Sequence, residues 1–150
     1  MALKIPPVLL AIIAGLLMWL MAALTPGLAF AVPGRKMALI ALSSLSGLLA
    51  GPSIASVLRA KTTLSPTRPE RASALLCSGV YAISRNPMYL SLAVLLAAWA
   101  VFLSNPLTMF IIPGFIAYMN RFQIEPEERA LTTLFGDEYL AYQKKVRRWL

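Results

Sequence analysis

The residues able to do chemistry gather in two stretches. The first, GVYAISRNPMY, runs from Gly79 to Tyr89 and carries Tyr81, Arg85, Asn86 and Tyr89. The second, EPEERALTTLFGDEY, runs from Glu125 to Tyr139 and carries Glu125, Glu127, Glu128, Arg129 and Asp137. The chain has no histidine and a single cysteine, Cys77. That excludes histidine-based acid/base work, Ser-His-Asp and Cys-His triads and the usual zinc sites, and it excludes an intrachain disulfide. No metal site is expected. Carboxylate chemistry has only Glu70, Glu125, Glu127, Glu128, Asp137 and Glu138 to draw on.

Each stretch also has a plain structural reading. Tyr and Arg are common anchors at a membrane surface, and Asn86-Pro87 suits the start of a helix. Glu125, Glu127 and Glu128 around Pro126 favour a helix N-terminus through the dipole. Gly136 suits a C-cap and Asp137 the cap of a following helix. Tyr139, Tyr142 and Val146 then form a helical stripe. Lys144 to Arg148 suits contact with anionic lipid. Capping and anchoring do not explain why two such clusters should lie on either side of an apolar stretch that enters a membrane and returns.

The elements that position them follow from the apolar runs. The chain has 150 residues, 59% hydrophobic and 13% charged, where soluble domains carry about 25% charged residues. One domain is expected over residues 1–150. Ile5 to Leu24 matches a spanning helix of about 20 residues, with Pro6 and Pro7 at its start. A cleaved leader ending near Ala29-Phe30-Ala31 is the rival reading, against which the run is long. Met37 to Leu58 is the second run; Ser43, Gly47, Gly51 and Ala55 put small residues on one face, a pattern for close helix packing within or between chains, and Gly51-Pro52 should kink it. Residues 59–150 form the half expected to hold the site, after two N-terminal transmembrane helices in 1–58. Leu90 to Leu103 and Leu107 to Met119, joined at Asn105-Pro106, are short runs that suit a tilted or incomplete hairpin. The expected fold is an all-α integral membrane protein of about four transmembrane helices, the last two a short hairpin, with cytoplasmic C-terminal helices.

Charge sets the orientation. The net charge is +8, but the basic residues flank apolar runs instead of forming a nucleic-acid-binding face, so no nucleic acid is expected. With four crossings, twelve basic residues share the face of both termini and only Arg35 and Lys36 lie opposite. By the positive-inside rule both termini and all six acidic residues are cytoplasmic. No Asp, Glu, Lys or Arg lies within the four apolar runs, which argues against an ion-coupled transporter. The two clusters then meet at one membrane face, where a pocket offers lipid on one side and water on the other. That suits a reaction between a polar cofactor and a lipophilic acceptor.

The stretches SGVYAISRNPMYL (Ser78 to Leu90), Asn105-Pro106 and EERALTTLFGDEYLAYQKKVRR (Glu127 to Arg148) resemble, in order and spacing, the isoprenylcysteine carboxyl methyltransferase family and its wider membrane relatives, including phospholipid N-methyltransferases. The resemblance covers roughly the C-terminal half. It implies an integral membrane enzyme of a bacterial or archaeal-type inner membrane, with S-adenosylmethionine bound at the cytoplasmic end of the late helices and a lipophilic or lipidated acceptor. It implies a cofactor lining of Ser73, Ala74, Leu75, Leu76, Tyr81, Asn86, Pro87, Met88, Tyr89 and Glu127. Arg85 fills the family's arginine. Asn86 stands where the family has histidine, so no group there titrates near neutral pH. Gln123 stands where the prenylcysteine enzymes place a substrate-binding arginine, which leaves Arg121 as the nearby substitute and weakens the prenylcysteine assignment. The sulfonium makes the methyl electrophilic, so the protein mainly supplies orientation and exclusion of water. A carboxylate or thiolate acceptor needs no base; for an amine, Glu128, Asp137 or water is available. The alternatives are a non-enzymatic membrane scaffold of degenerate methyltransferase shape, and a membrane reductase using NADPH. Oligomeric state is not specified by the sequence.

Overall fold

The computed structural model describes residues 5–60 and 74–150, and these are all-helical, with no strand among them. Five helices follow in order: α1 (Pro7–Leu24), α2 (Arg35–Arg59), α3 (Pro87–Leu103), α4 (Ile111–Met119) and α5 (Glu125–Lys145). Short 3₁₀ turns at Gly79–Ala82 and Pro106–Phe110 precede α3 and α4, and a π-helical turn, Asn120–Ile124, joins α4 to α5.

Among the described residues, only α1 and α2 are long and apolar enough to cross a membrane. A core helix of a soluble protein would be mostly buried, but only 17% of the α1 apolar window and 11% of the α2 window are buried. Leu9, Leu16, Leu20, Ile40 and Leu48 face outward. The helix that carries the third apolar run begins three residues before it, at Pro87, whose missing N–H costs little at a helix start. The fourth run is divided: a 3₁₀ turn takes its first residues, and α4 itself has nine.

The hub is α3, which packs against α1, α2 and α4. The core joins Ala14 and Met18 of α1, Tyr89, Ala93, Leu96 and Ala100 of α3, Phe115 and Met119 of α4, and Ile124. Small residues on α3 let its neighbours approach closely. Trp99 Nε1 donates to the Gly15 carbonyl at 3.1 Å, tying α3 to α1.

Helix α2 meets α3 on a different face from the small-residue stripe. Ser46, Ser53 and Val57 are buried, and Ser46 Oγ donates to the Ser91 carbonyl at 2.8 Å. Gly47 and Gly51 face outward with open space beside them. A serine can both approach closely and bond across an apolar contact, which glycine cannot. The helix continues through Pro52, and the hydroxyls of Ser53 and Ser56 donate back to the carbonyls of Leu49 and Pro52.

The α3–α4 turn is fixed by Asn105, which is buried. Its Nδ2 donates to the Thr25 carbonyl at 3.1 Å and to Thr25 Oγ1 at 2.9 Å, and its Oδ1 accepts from Leu107 N–H at 3.1 Å. This locks the hairpin tip to the end of α1. The opposite end of α3, at Pro87, carries the polar clusters.

Candidate functional site

Pro87 starts α3, so Tyr89 lies in its first turn and is buried. Its hydroxyl donates to Glu127 Oε2 at 3.0 Å. Gln123, also buried, donates from Nε2 to the same hydroxyl at 3.3 Å. A relay Gln123–Tyr89–Glu127 therefore links the π-helical turn, α3 and the start of α5. The structure brings together one residue from each sequence cluster.

Glu127 is half-buried as a residue, yet protein atoms crowd its carboxyl group. Burial pushes its pKa up to about 7; the Tyr89 hydrogen bond pulls it back, and the charge of Glu128 adds to the rise. No cation among the described residues pairs with it.

Glu128 is placed differently. Its Oε1 lies 3.1 Å from Arg85 Nη2 and accepts from Arg148 Nε at 3.2 Å, while its Oε2 accepts from Arg148 Nη2 at 2.6 Å. The Arg85 and Glu128 side chains are 12% and 13% exposed, which makes this a largely desolvated network in place of a surface pair. Hydrogen bonding to Glu128 raises the Arg148 pKa further. Both carboxylate oxygens of Glu128 are thus engaged by guanidinium groups. Arg85 Nε is buried with no hydrogen-bond partner among the described residues.

The other sequence-named residues are distributed around this centre. Tyr81 is buried in the turn before α3, and its carbonyl accepts from Tyr142 Oη at 2.6 Å. Burial, then the charge of Glu127, pushes the Tyr81 phenol up to about 12. Asn86 turns its amide away to the chain end: Nδ2 donates to the Arg148 carbonyl at 2.9 Å. Pro87 is buried and Met88 packs on the core. Ala74, Leu75 and Leu76 are half-buried in the irregular segment leading to the turn; Ser73 lies outside the described residues. Arg121 stands apart, with its side chain 72% exposed and paired to Glu125 at 3.1 Å one turn along.

Several residues enter that sequence reasoning did not place in the site. Gln123 was visible as a departure, and its i, i+4 spacing to Glu127 was the available signal. Tyr139 is buried on the second half of α5, and its phenol, pushed up to about 12 by burial first and then by Glu128, also feels Arg85 and Glu127. The helix kinks there at Gly136, whose φ of 50° with ψ of −126° is a backbone conformation that glycine adopts without a Cβ clash. Arg148 closes the stretch that carries the resemblance but reads in sequence only as a lipid contact, and Trp149 lies just beyond that stretch. Beside Glu128 lies an open polar recess of about 480 Å³, lined by Glu125, Glu128, Arg129, Thr132, Thr133 and Gln143.

Residues 35–138 match the phospholipid methyltransferase family. The chain belongs to that family. In this phospholipid methyltransferase family member the matched range runs from the start of α2 to just past the Gly136 break, so it contains Tyr89, Gln123, Glu127 and Glu128 but neither α1 nor the last residues. An uncharacterized protein of Haemophilus influenzae is 51% identical over 63 residues, which are 42% of this chain and 100% of that protein. No solved structure matches. Membership of a methyltransferase family, together with two largely unburied apolar helices, makes this a membrane-associated protein.

Proposed function

We propose that the protein transfers a methyl group from S-adenosylmethionine to a lipophilic acceptor at the cytoplasmic face of a bacterial or archaeal-type inner membrane. The observation that carries this reading is Glu127: a crowded carboxyl, oriented by Tyr89, with no cation of its own among the described residues. A buried carboxylate in that state favours a cationic ligand. The cofactor's amino group supplies one, and its carboxylate suits the unpartnered Nε of Arg85. The residues present therefore fit the cofactor.

When bound, the cofactor supplies a methyl made electrophilic by its sulfonium. The chain's own residues do the rest. Glu127 in its ionised form binds the ammonium, and Tyr89, itself held by Gln123, fixes the carboxylate's direction. Tyr81 and Tyr139 crowd the site and exclude water. Glu128, held by Arg85 and Arg148, serves as an anchor in this reading. For an amine acceptor, Asp137, which is exposed, or water takes the proton.

The acceptor's apolar part has a place to lie. Helices α1, α2 and α3 enclose an apolar groove of about 400 Å³, lined by Val8, Ile12, Trp19, Leu39, Leu92 and Trp99 among others. Leu92 is one helical turn beyond Tyr89, so the groove begins beside the polar centre. Gln123 is neutral and turned to Tyr89, which favours an acceptor other than a free prenylcysteine carboxylate. In this reading α1 and α2 cross the bilayer, the α3–α4 hairpin dips into it, both termini are cytoplasmic, and the groove lies among lipid. The test is calorimetry of detergent-purified protein with S-adenosylmethionine, S-adenosylhomocysteine and NADPH. Saturable binding of the first two supports the reading; binding of NADPH alone points to a reductase, and no binding by folded protein to a scaffold.

A further inference from the structure

Val146, Arg148 and Trp149 are half-buried against the rest of the protein, while Arg147 and Leu150 are exposed. Val146 leaves α5 in an extended conformation, and the chain then crosses the start of α3. Arg85 N–H donates to the Arg147 carbonyl at 3.0 Å. Asn86 Nδ2 donates to the Arg148 carbonyl at 2.9 Å, and Ser84 Oγ reaches the same carbonyl at 3.4 Å. The Arg148 guanidinium grips Glu128 through two bonds. Trp149 Nε1 donates to Asn120 Oδ1 at 2.9 Å, and its ring packs on the core.

These contacts reach three places: the loop before α3, the first turn of α5, and the π-helical turn. The loop leads directly into the α3 turn that holds Tyr89, and the other two places supply Glu127 and Gln123. We infer that residues 146–150 form a strap, fastened by Arg148 and Trp149, that holds the Tyr89–Glu127 pair in register. Arg148 and Trp149 are positioning residues: they touch neither member of the relay but tie together the segments that carry it. In this arrangement Asn86, where the resemblance implies a cofactor contact, serves the strap. The family match ends at residue 138, so the strap lies outside it. An energetic reason for such a device is local: α4 has nine residues and ends in a π-helical turn, an irregular connection whose register needs fixing from outside.

The inference rests on the proposed cofactor reading for its functional consequence, so the experiment has an arm that does not need the cofactor. Four variants are compared: Arg148→Ala, Arg148→Lys, Trp149→Ala and, as a control for lost positive charge, Lys144→Ala, whose side chain is exposed. Circular dichroism establishes that each is folded. S-adenosylmethionine affinity is read at about pH 8.5, above the Glu127 value, so that it reports placement and not protonation. Arg148→Ala and Trp149→Ala each weaken binding at least about tenfold, Arg148→Lys recovers part of the loss, and Lys144→Ala binds as wild type.

The second arm follows the Glu127 carboxyl band by infrared pH titration, assigned with Glu127→Gln. The groups facing Glu127 are Glu128 on its own helix, Tyr89 from α3, Tyr81 from the turn before it and Tyr139 from the second half of α5, with Arg85 and Arg148 behind Glu128. Trp149→Ala changes none of these charges, so its effect is hydration: the midpoint falls from about 7 toward the ordinary carboxylate range. Wild-type affinity in both Arg148→Ala and Trp149→Ala, or an unmoved Glu127 midpoint in Trp149→Ala, would overturn the strap. Failure of the wild type to take up S-adenosylmethionine would overturn the methyl-transfer reading instead and leave the infrared arm to decide the strap.

Discussion

Replacing Glu127 by glutamine should stabilise the protein and disable it. Burial holds the carboxyl at about 7 against an ordinary 4.5, which corresponds to roughly 3 kcal/mol of preference for the neutral form. Between those values the folded chain keeps a proton that the unfolded chain has released. Stability therefore falls as pH rises through this window and levels off above about 7. Glutamine removes the penalty at every pH, and its carbonyl can still accept from Tyr89. At about pH 8 the variant should be more stable than wild type by about 2–3 kcal/mol. Thermal unfolding in detergent would register this as a rise of several degrees. Wild type should lose melting temperature between about pH 5 and 7, while Glu127→Gln stays flat. The same variant should bind S-adenosylmethionine at least about a hundredfold more weakly, because the carboxylate for its ammonium is gone. A variant that melts at or below wild type at about pH 8, with both profiles flat, would refute the claim that Glu127 is held as a strained, cation-seeking carboxyl.

Three further perturbations separate the parts of the account. Tyr89→Phe removes the donor that lowers the Glu127 value, so cofactor affinity at neutral pH should drop about tenfold and its pH midpoint should move upward, read by calorimetry at several pH values. Leu92→Trp fills the apolar groove; acceptor KM should rise about tenfold or more in a methyl-transfer assay while cofactor affinity stays within about twofold. Asn105→Ala strips the hairpin tip of its bonds to Thr25 and Leu107, which should cost about 2–4 kcal/mol by thermal unfolding without moving cofactor affinity.

Much of this architecture was legible in the sequence because it depends on local rules. The apolar runs marked the helices, Pro87 marked the start of α3, and Gly136 marked the break in α5 where φ is positive. The meeting of Tyr89 with Glu127 follows from an apolar stretch that leaves and returns. Other features depend on register and on backbone partners far along the chain. The π-helical turn resets the angle at which α5 leaves α4, and only then does Gln123 reach Tyr89. The face of α2 that packs is chosen by the Ser46 bond to Ser91, so the Gly47–Gly51 stripe, a better packing surface by composition, is left uncovered. Asn86 and Arg85 bond to the carbonyls of Arg148 and Arg147. No spacing within either motif encodes a carbonyl about sixty residues away.

The claim at the centre of this account is that Glu127 is a binding carboxylate for a cationic cofactor. Its most direct test is S-adenosylmethionine affinity measured by calorimetry between about pH 5.5 and 8.5. Glu127 protonates in the folded protein at about 7. Affinity should therefore rise about tenfold per unit on the acid side of that value and reach a plateau above it. Affinity that is independent of pH across this range, or absent from folded protein, would contradict it.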